Sequence, residues 1–148
     1  MPQNDDRLAI TNQLGLFARM IDARDWAGAS AVFAEDVAFN YGDGGEQVGL
    51  DALIGQFRRF LDHCGPSQHL IGSIMLELDA ETAVTRAYVQ ARHQGLGARA
   101  TLFFDSNGEY VDRWSRLAQG WRIVRRDAIW ATHMGDPRVL MEDLAAPS

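Results

Sequence analysis

A few side chains in this sequence combine proton-transfer or charge-holding chemistry with otherwise apolar surroundings: Asp22, Tyr41, His69, His93, Arg126 and Asp127. A carboxylate that accepts a hydrogen bond from one imidazole nitrogen fixes the tautomer and leaves the other nitrogen free to take a proton. Such a pair serves proton abstraction or proton return near neutral pH. An arginine nearby would stabilise negative charge on a substrate or leaving group. A tyrosine hydroxyl could polarise a carbonyl or hold a water. His69 is the sharpest case, because SQHLIGS (67–73) puts an imidazole at the start of an apolar, strand-like run.

Each candidate also has a plainer reading. Asp22 lies close to Asp25 and reads as a helix-end or turn carboxylate. His69 alone reads as a satisfied, partly buried histidine. His93 stands beside a glycine-rich turn and is solvated unless a pocket forms there. The alternating arginines of RIVRRD suggest one exposed sheet face, with Asp127 as a surface partner of Arg125. Yet Arg125 and Arg126 must point to opposite faces, so one of them faces inward or lies at a rim. Tyr41 reads equally as a strand-end aromatic. Trp26, Trp114, Trp121 and Trp130 belong in a core or interface, and their number makes a hydrophobic cavity plausible. His63 and His133 have no informative context. The histidines lack metal-ligand spacing, so no metal is expected. GDGG is a turn rather than a nucleotide loop, and no serine sits in a nucleophile elbow.

The elements that must position these residues are helices first and strands afterwards. Ile10, Leu14, Phe17 and Ile21 have the spacing of one helix face, with Asn4 or Asp5 as its cap. Asp25 then caps a short helix, DWAGASAVFA. Val37, Phe39 and Tyr41 alternate like a strand, and Gly42, Gly44 and Gly45 mark a turn. Leu50, Leu53, Ile54, Phe57, Phe60 and Leu61 line a third helix that ends near Gly65-Pro66. From Ser67 long strands follow, separated by turn signals at Asp79-Ala80, Gly95-Leu96-Gly97, Ser106-Asn107-Gly108 and Gln119-Gly120. Short connections between long strands imply an antiparallel meander. Ala83, Thr85, Ala87, Val89, Ala91 and His93 share one face of a strand, as a pocket wall of small residues would. Arg86, Tyr88, Gln90 and Arg92 share the other, which is either solvated or covered by another subunit. Pro137 opens a C-terminal helix around VLMEDLAA. The pattern is α+β.

Residues 1–148 read as one domain, 47% hydrophobic and 23% charged, with a formal net charge of -6. No basic stripe calls for nucleic acid, and no polybasic cluster calls for a membrane surface. One cysteine, Cys64, supports neither a disulfide framework nor a cysteine zinc site. The polar, acidic MPQNDDRLAI lacks the regions of a signal peptide, and no apolar run has membrane-spanning length. The expected setting is cytoplasmic.

The order of elements, together with IDARDWAGASAVFAEDVAF, the helix after Val48-Gly49-Leu50, SQHLIGS and GWRIVRRD, resembles the SnoaL-like group of the NTF2-like superfamily over nearly the whole chain. Within it the chain looks most like scytalone dehydratase and hexachlorocyclohexane dehydrochlorinase. The resemblance implies a cone: three N-terminal helices packed in a strongly curved antiparallel sheet around a central pocket, with a short C-terminal helix. It matches Asp22 and His69 to the aspartate–histidine pair of both enzymes. It matches Tyr41 and His93 to a tyrosine and second histidine of the dehydratase, and Arg126 to an arginine of the dehydrochlorinase. Two departures stand against scytalone as substrate. Ile21 replaces a tyrosine, and the dehydratase's serine and asparagine on the third long strand find no equivalents in GEYVD.

The resemblance therefore implies a cofactor-independent lyase or isomerase for a small hydrophobic molecule, with Asp22, His69, Arg126, Tyr41 and His93 as catalytic candidates. Phe17, Met20, Phe39, Phe57 and Trp130 would supply apolar walls. A homo-oligomer, trimer or dimer, is implied as well. The rival reading is a non-catalytic small-molecule-binding or assembly module, a role also known in the superfamily.

Overall fold

The apolar stripe of the first helix organises the molecule. The structure, a computed structural model, describes residues 2–142. In α1 (Pro2–Asp22), Ile10, Leu14, Phe17 and Ile21 are all buried, as the three-to-four-residue spacing requires. The helix already contains Asn4 and Asp5, so neither residue caps it. It ends where Arg24 adopts a left-handed backbone (φ 57°), a conformation that usually falls to glycine. The Arg24 guanidinium offsets that strain by donating to the carbonyls of Ile21 (2.9 Å) and Gly65 (2.8 Å) and to the Ser67 hydroxyl (2.8 Å). Asp25 accepts from the Gly28 N–H at 3.2 Å and caps the short second helix, which is of 3-10 type, Trp26–Ala31.

The strand β1 (Phe33–Asn40) turns through Gly42, Gly44 and Gly45, all at positive φ, into the short β2 (Gln47–Val48). Then α2 (Leu50–Leu61) buries Leu53, Gln56, Phe57 and Leu61. It stops earlier than its sequence suggests. Gly65-Pro66 already lies in β3 (Cys64–Leu78), where Cys64 pairs with Gly95 of β4 (Thr82–Gly95). Two more long strands follow, β5 (Phe103–Leu117) and β6 (Gly120–Gly135). No turn forms at Ser106-Asn107-Gly108. Partners on both sides, β4 and β6, satisfy the backbone there, and tertiary pairing overrides the local turn preference. What remains of the signal is a slip in the β5–β6 ladder between Asn107 and Gly108. A side chain at Gly108 would run into the Ile129 carbonyl.

The sheet order is β2-β1-β6-β5-β4-β3. The four long strands form the expected antiparallel meander, whereas β1 lies parallel to β6, pairing Phe39 with Arg126 and Asn40 with Asp127. The result is an α+β fold with an open, curved, mixed sheet against the helices. Along β4 the period of two holds throughout: Ala83, Thr85, Ala87, Val89, Ala91 and His93 are buried, while Arg86, Tyr88, Gln90 and Arg92 are exposed. The helix expected around VLMEDLAA shortens to one 3-10 turn, Pro137–Leu140, and Met141 is extended. Arg99 explains the stop, since its guanidinium takes the carbonyls of Arg138 and Met141 that a continuing helix would need. Residues 143–146 of that expected helix lie outside the described residues. No helix among those described is long and apolar enough to cross a membrane.

One charged pair lies in the middle of this core. Arg126 and Asp112, both fully buried, are joined by two hydrogen bonds of 2.7 and 2.8 Å. The guanidinium carbon also sits 4.0 Å from the ring centre of Tyr110 and 4.1 Å from that of Phe17. Burial works against the Arg126 charge, but the Asp112 carboxylate and the neighbouring phenols outweigh it and hold its pKa above the usual guanidinium range. Removing one member leaves the other as an uncompensated buried charge. Asp112→Asn should therefore lower unfolding free energy by about 3–5 kcal/mol in urea titrations, and an unchanged midpoint would refute the pairing.

Candidate active site

A cavity of about 270 Å³ opens between α2 and the strands β3 to β6. Its walls are mainly aromatic: Tyr41, Phe57, Phe104, Tyr110 and Trp130 border it, with Phe60, Leu61 and Leu140 nearby. The polar groups that reach it are His69, His93, Ser106, Gln56, Asp43 and His133, besides the two tyrosine hydroxyls.

His69 reaches the cavity from β3, and Asp22 stands behind it at the end of α1. The His69 Nδ1 lies 2.7 Å from Asp22 Oδ1, and the carboxylate, an acceptor only, fixes the proton on Nδ1. The other carboxylate oxygen accepts the His69 backbone N–H at 2.9 Å, and Oδ1 also accepts the Ser67 hydroxyl at 2.8 Å. Burial alone would raise the Asp22 pKa. The hydrogen bonds from the His69 ring, its backbone and Ser67 outweigh that and hold the carboxyl below its ordinary value. Arg24, bound to Ser67 Oγ, braces the whole corner. The second ring nitrogen of His69, Nε2, has no hydrogen-bond partner among the described residues, and the ring borders the cavity.

His93 stands next to it on β4, its ring centre 5.6 Å from that of His69 and nearly perpendicular. Its Nδ1 donates to the Phe104 carbonyl at 2.9 Å, so Nε2 is an acceptor facing the same space. Burial lowers the His93 pKa to about 4, with the Arg24 charge adding to the effect against the Phe104 bond. His93 is therefore neutral at neutral pH.

Tyr41 closes the opposite side. Its hydroxyl oxygen accepts from Arg126 Nη1 at 3.3 Å, and the Tyr110 ring lies beside it, centre to centre 6.0 Å. Burial raises its pKa despite Arg126, so the phenol keeps its proton. Arg126 uses the oxygen as an acceptor, so the phenol proton stays available to a group in the cavity that Tyr41 borders.

Of the residues singled out from sequence, Asp22, His69, His93, Tyr41, Phe57 and Trp130 therefore converge here. Arg126 does not line the cavity; Asp112 holds it in the core, and it meets the site through Tyr41. Phe17, Met20 and Phe39 are buried behind the wall, a correction to their reading as walls: these positions of α1 and β1 point into the core, while Ile21, at the end of the α1 stripe, borders the cavity. Asp127 pairs with Arg125 through two bonds of 3.0 Å on the outer face, as the alternation suggests. Ser106, Tyr110, Gln56 and His133 were not anticipated. Ser106 was hidden by its turn-like neighbours, yet it supplies a hydroxyl on the third long strand. Tyr110, Asp112 and Trp114 alternate inward, so the carboxylate opposite Arg126 was readable from period two. Gln56 falls three residues after Leu53 on an apolar helical stripe, a polar group out of pattern. His133 stacks on Phe104 at 5.6 Å.

The SnoaL-like domain family matches residues 2–127. No curated protein matches the sequence. Among solved structures, the Kfla4162 protein of Kribbella flavida is similar at 17% identity and a TM-score of 0.82, over 93% of this chain and 98% of that one. A candidate scytalone dehydratase of Novosphingobium aromaticivorans shares 19% identity at a TM-score of 0.78, over 97% and 99% of the two chains. The hexachlorocyclohexane dehydrochlorinase LinA-type3 of Novosphingobium barchaimii shares 12% identity at a TM-score of 0.78, over 90% and 91%. These likenesses establish a common fold.

The state of His93 has a consequence for pH. The unfolded chain binds a proton at this residue as pH falls through 6.5, whereas the folded protein resists until about 4. Across that window the unfolded state holds more protons, so His93 makes stability fall as pH falls and contributes no further slope below about 4. His93→Gln should flatten this part of the urea-derived stability profile. A His93 ring resonance that titrates near 6.5 would contradict the assignment.

Proposed function

The chain belongs to the SnoaL-like domain family, and from that premise we propose that it is a cofactor-independent lyase or isomerase acting on a small, mostly hydrophobic molecule. The observation that carries this reading is the 2.7 Å contact between Asp22 and His69 Nδ1, with the far side of the ring on the cavity. His69 Nε2 removes a proton from a carbon next to a carbonyl. The C–H electrons pass into the enolate as the imidazolium forms, and Asp22 orients and stabilises that imidazolium. Tyr41 donates to the oxygen on which negative charge builds, with Arg126 behind it as a fixed positive charge in a dry environment. His93, an acceptor on the adjacent strand, holds a donor group of the substrate.

The imidazolium then returns its proton. If the proton goes to a leaving group on the neighbouring carbon, the reaction is an elimination; if it goes to another carbon of the enolate, it is an isomerisation. The names of two structural neighbours, a dehydratase and a dehydrochlorinase, agree with the first. The aromatic walls exclude water and strengthen each of these electrostatic contacts.

The reading is tested by screening bicyclic and monocyclic ketones for deuterium uptake at the acidic C–H in heavy water. With the first substrate found, Asp22→Asn and His69→Ala should each abolish exchange and turnover while circular dichroism stays unchanged. Retained turnover in His69→Ala would sink the mechanism, and a ligand bound tightly but returned without exchange would favour a binding module. Tyr41→Phe should lower kcat by roughly a hundred- to a thousandfold, the scale of losing one oxyanion donor, with a smaller change in KM.

A further inference from the structure

Among the buried residues of α2, namely Leu53, Gln56, Phe57 and Leu61, only Gln56 is polar. It is 7% exposed and borders the cavity, and no described group hydrogen-bonds its amide. No buried side-chain nitrogen or oxygen among the described residues lacks both a partner and a reachable face. The open face of this amide is therefore the cavity itself. An empty cavity can hydrate it, but a ligand that fills the space must either match it or leave it stranded in an apolar wall.

The chemistry of a match is specific. An amide presents N–H donors and a carbonyl acceptor side by side, and a hydroxyl or carboxamide answers both. The ligand is neutral, because no lysine or arginine lines the cavity: Arg126 is held in two bonds by Asp112 behind the wall, and the wall carboxylate Asp43 is itself paired with Arg59. Gln56 stands on the helical wall, while His69 and His93 stand on the sheet. The group it reads is thus approached from the helical wall, and the reacting carbon from the sheet.

We infer that Gln56 determines the specificity of the cavity, selecting neutral ring-sized ligands that carry a hydroxyl or carboxamide in addition to the reacting carbonyl. The inference rests on the cavity being a substrate site, and not on the proton-transfer step.

The test is calorimetric binding of indanone and its ring-hydroxylated isomers to the full chain and to Gln56→Leu and Gln56→Met. The wild type should prefer at least one hydroxylated isomer by roughly five- to a hundredfold, the range expected for stranding one buried polar group. Both variants should lose that preference and bind plain indanone as well as the wild type or better. Gln56→Met keeps the length of the side chain and answers the question if Gln56→Leu does not fold. Absence of any preference or of binding in the wild type, or a preference that survives in the variants, overturns the inference. A preference without deuterium exchange at the ketone would defeat the lyase reading and leave this one standing.

Discussion

A full positive charge held out of water is the constraint on which this molecule is built. Arg126 is tolerated only because Asp112 binds it with both carboxylate oxygens and aromatic faces cover it on Phe17, Phe33 and Tyr110. These groups come from α1, β1 and β5 and meet Arg126 of β6, so satisfying one guanidinium fixes how four elements meet. The nitrogen that Asp112 leaves unbound, Nη1, donates to Tyr41, and through that phenol the buried charge is felt in the cavity without being exposed to it. A charge kept dry polarises more strongly than one in water. The same burial that makes Arg126 difficult to accommodate makes it effective at a distance.

The other side of the site is organised by an anion that is saturated rather than hidden. Asp22 accepts three hydrogen bonds, two of them from His69 itself. The backbone contact fixes where the residue sits, and the ring contact fixes how it is turned. Neither the position nor the tautomer of the imidazole is left to its own rotamer preferences. His93 achieves the same with a backbone carbonyl as its partner, and burial keeps it neutral where a carboxylate would have favoured its charge. Two adjacent imidazoles thus carry different chemistry because their partners differ.

Much of this was legible in the sequence. Period-two alternation along β4 and the three-to-four spacing of α1 gave the inner faces correctly. The clash between Arg125 and Arg126 over which face to occupy correctly implied that one turns inward. What escaped has physical reasons. The extent of β5 was obscured because Ser106, Asn107 and Gly108 favour a turn only when nothing pairs with them on either side, and here two strands do. Phe17 and Phe39 were read as walls because a stripe tells which face is buried but not whether it meets side chains or a void. The last helix failed because Arg99, some forty residues away, takes its carbonyls; no local pattern encodes such a partner.

The parallel pairing of β1 with β6 bears on how the site comes into existence. Asp22 and His69 are 47 residues apart and can meet once β3 lies against α1, but Tyr41 and Arg126 are 85 apart and require the sheet's earliest and latest long segments to find each other. Contacts of large sequence separation close late, after most of the loop entropy has been spent. Every residue of the Asp22–His69 corner precedes β4 in the chain, whereas the Tyr41–Arg126 contact waits for β6. The two sides of the cavity thus differ in how much chain they need: one is complete with β3, the other only when the last long strand docks beside β1.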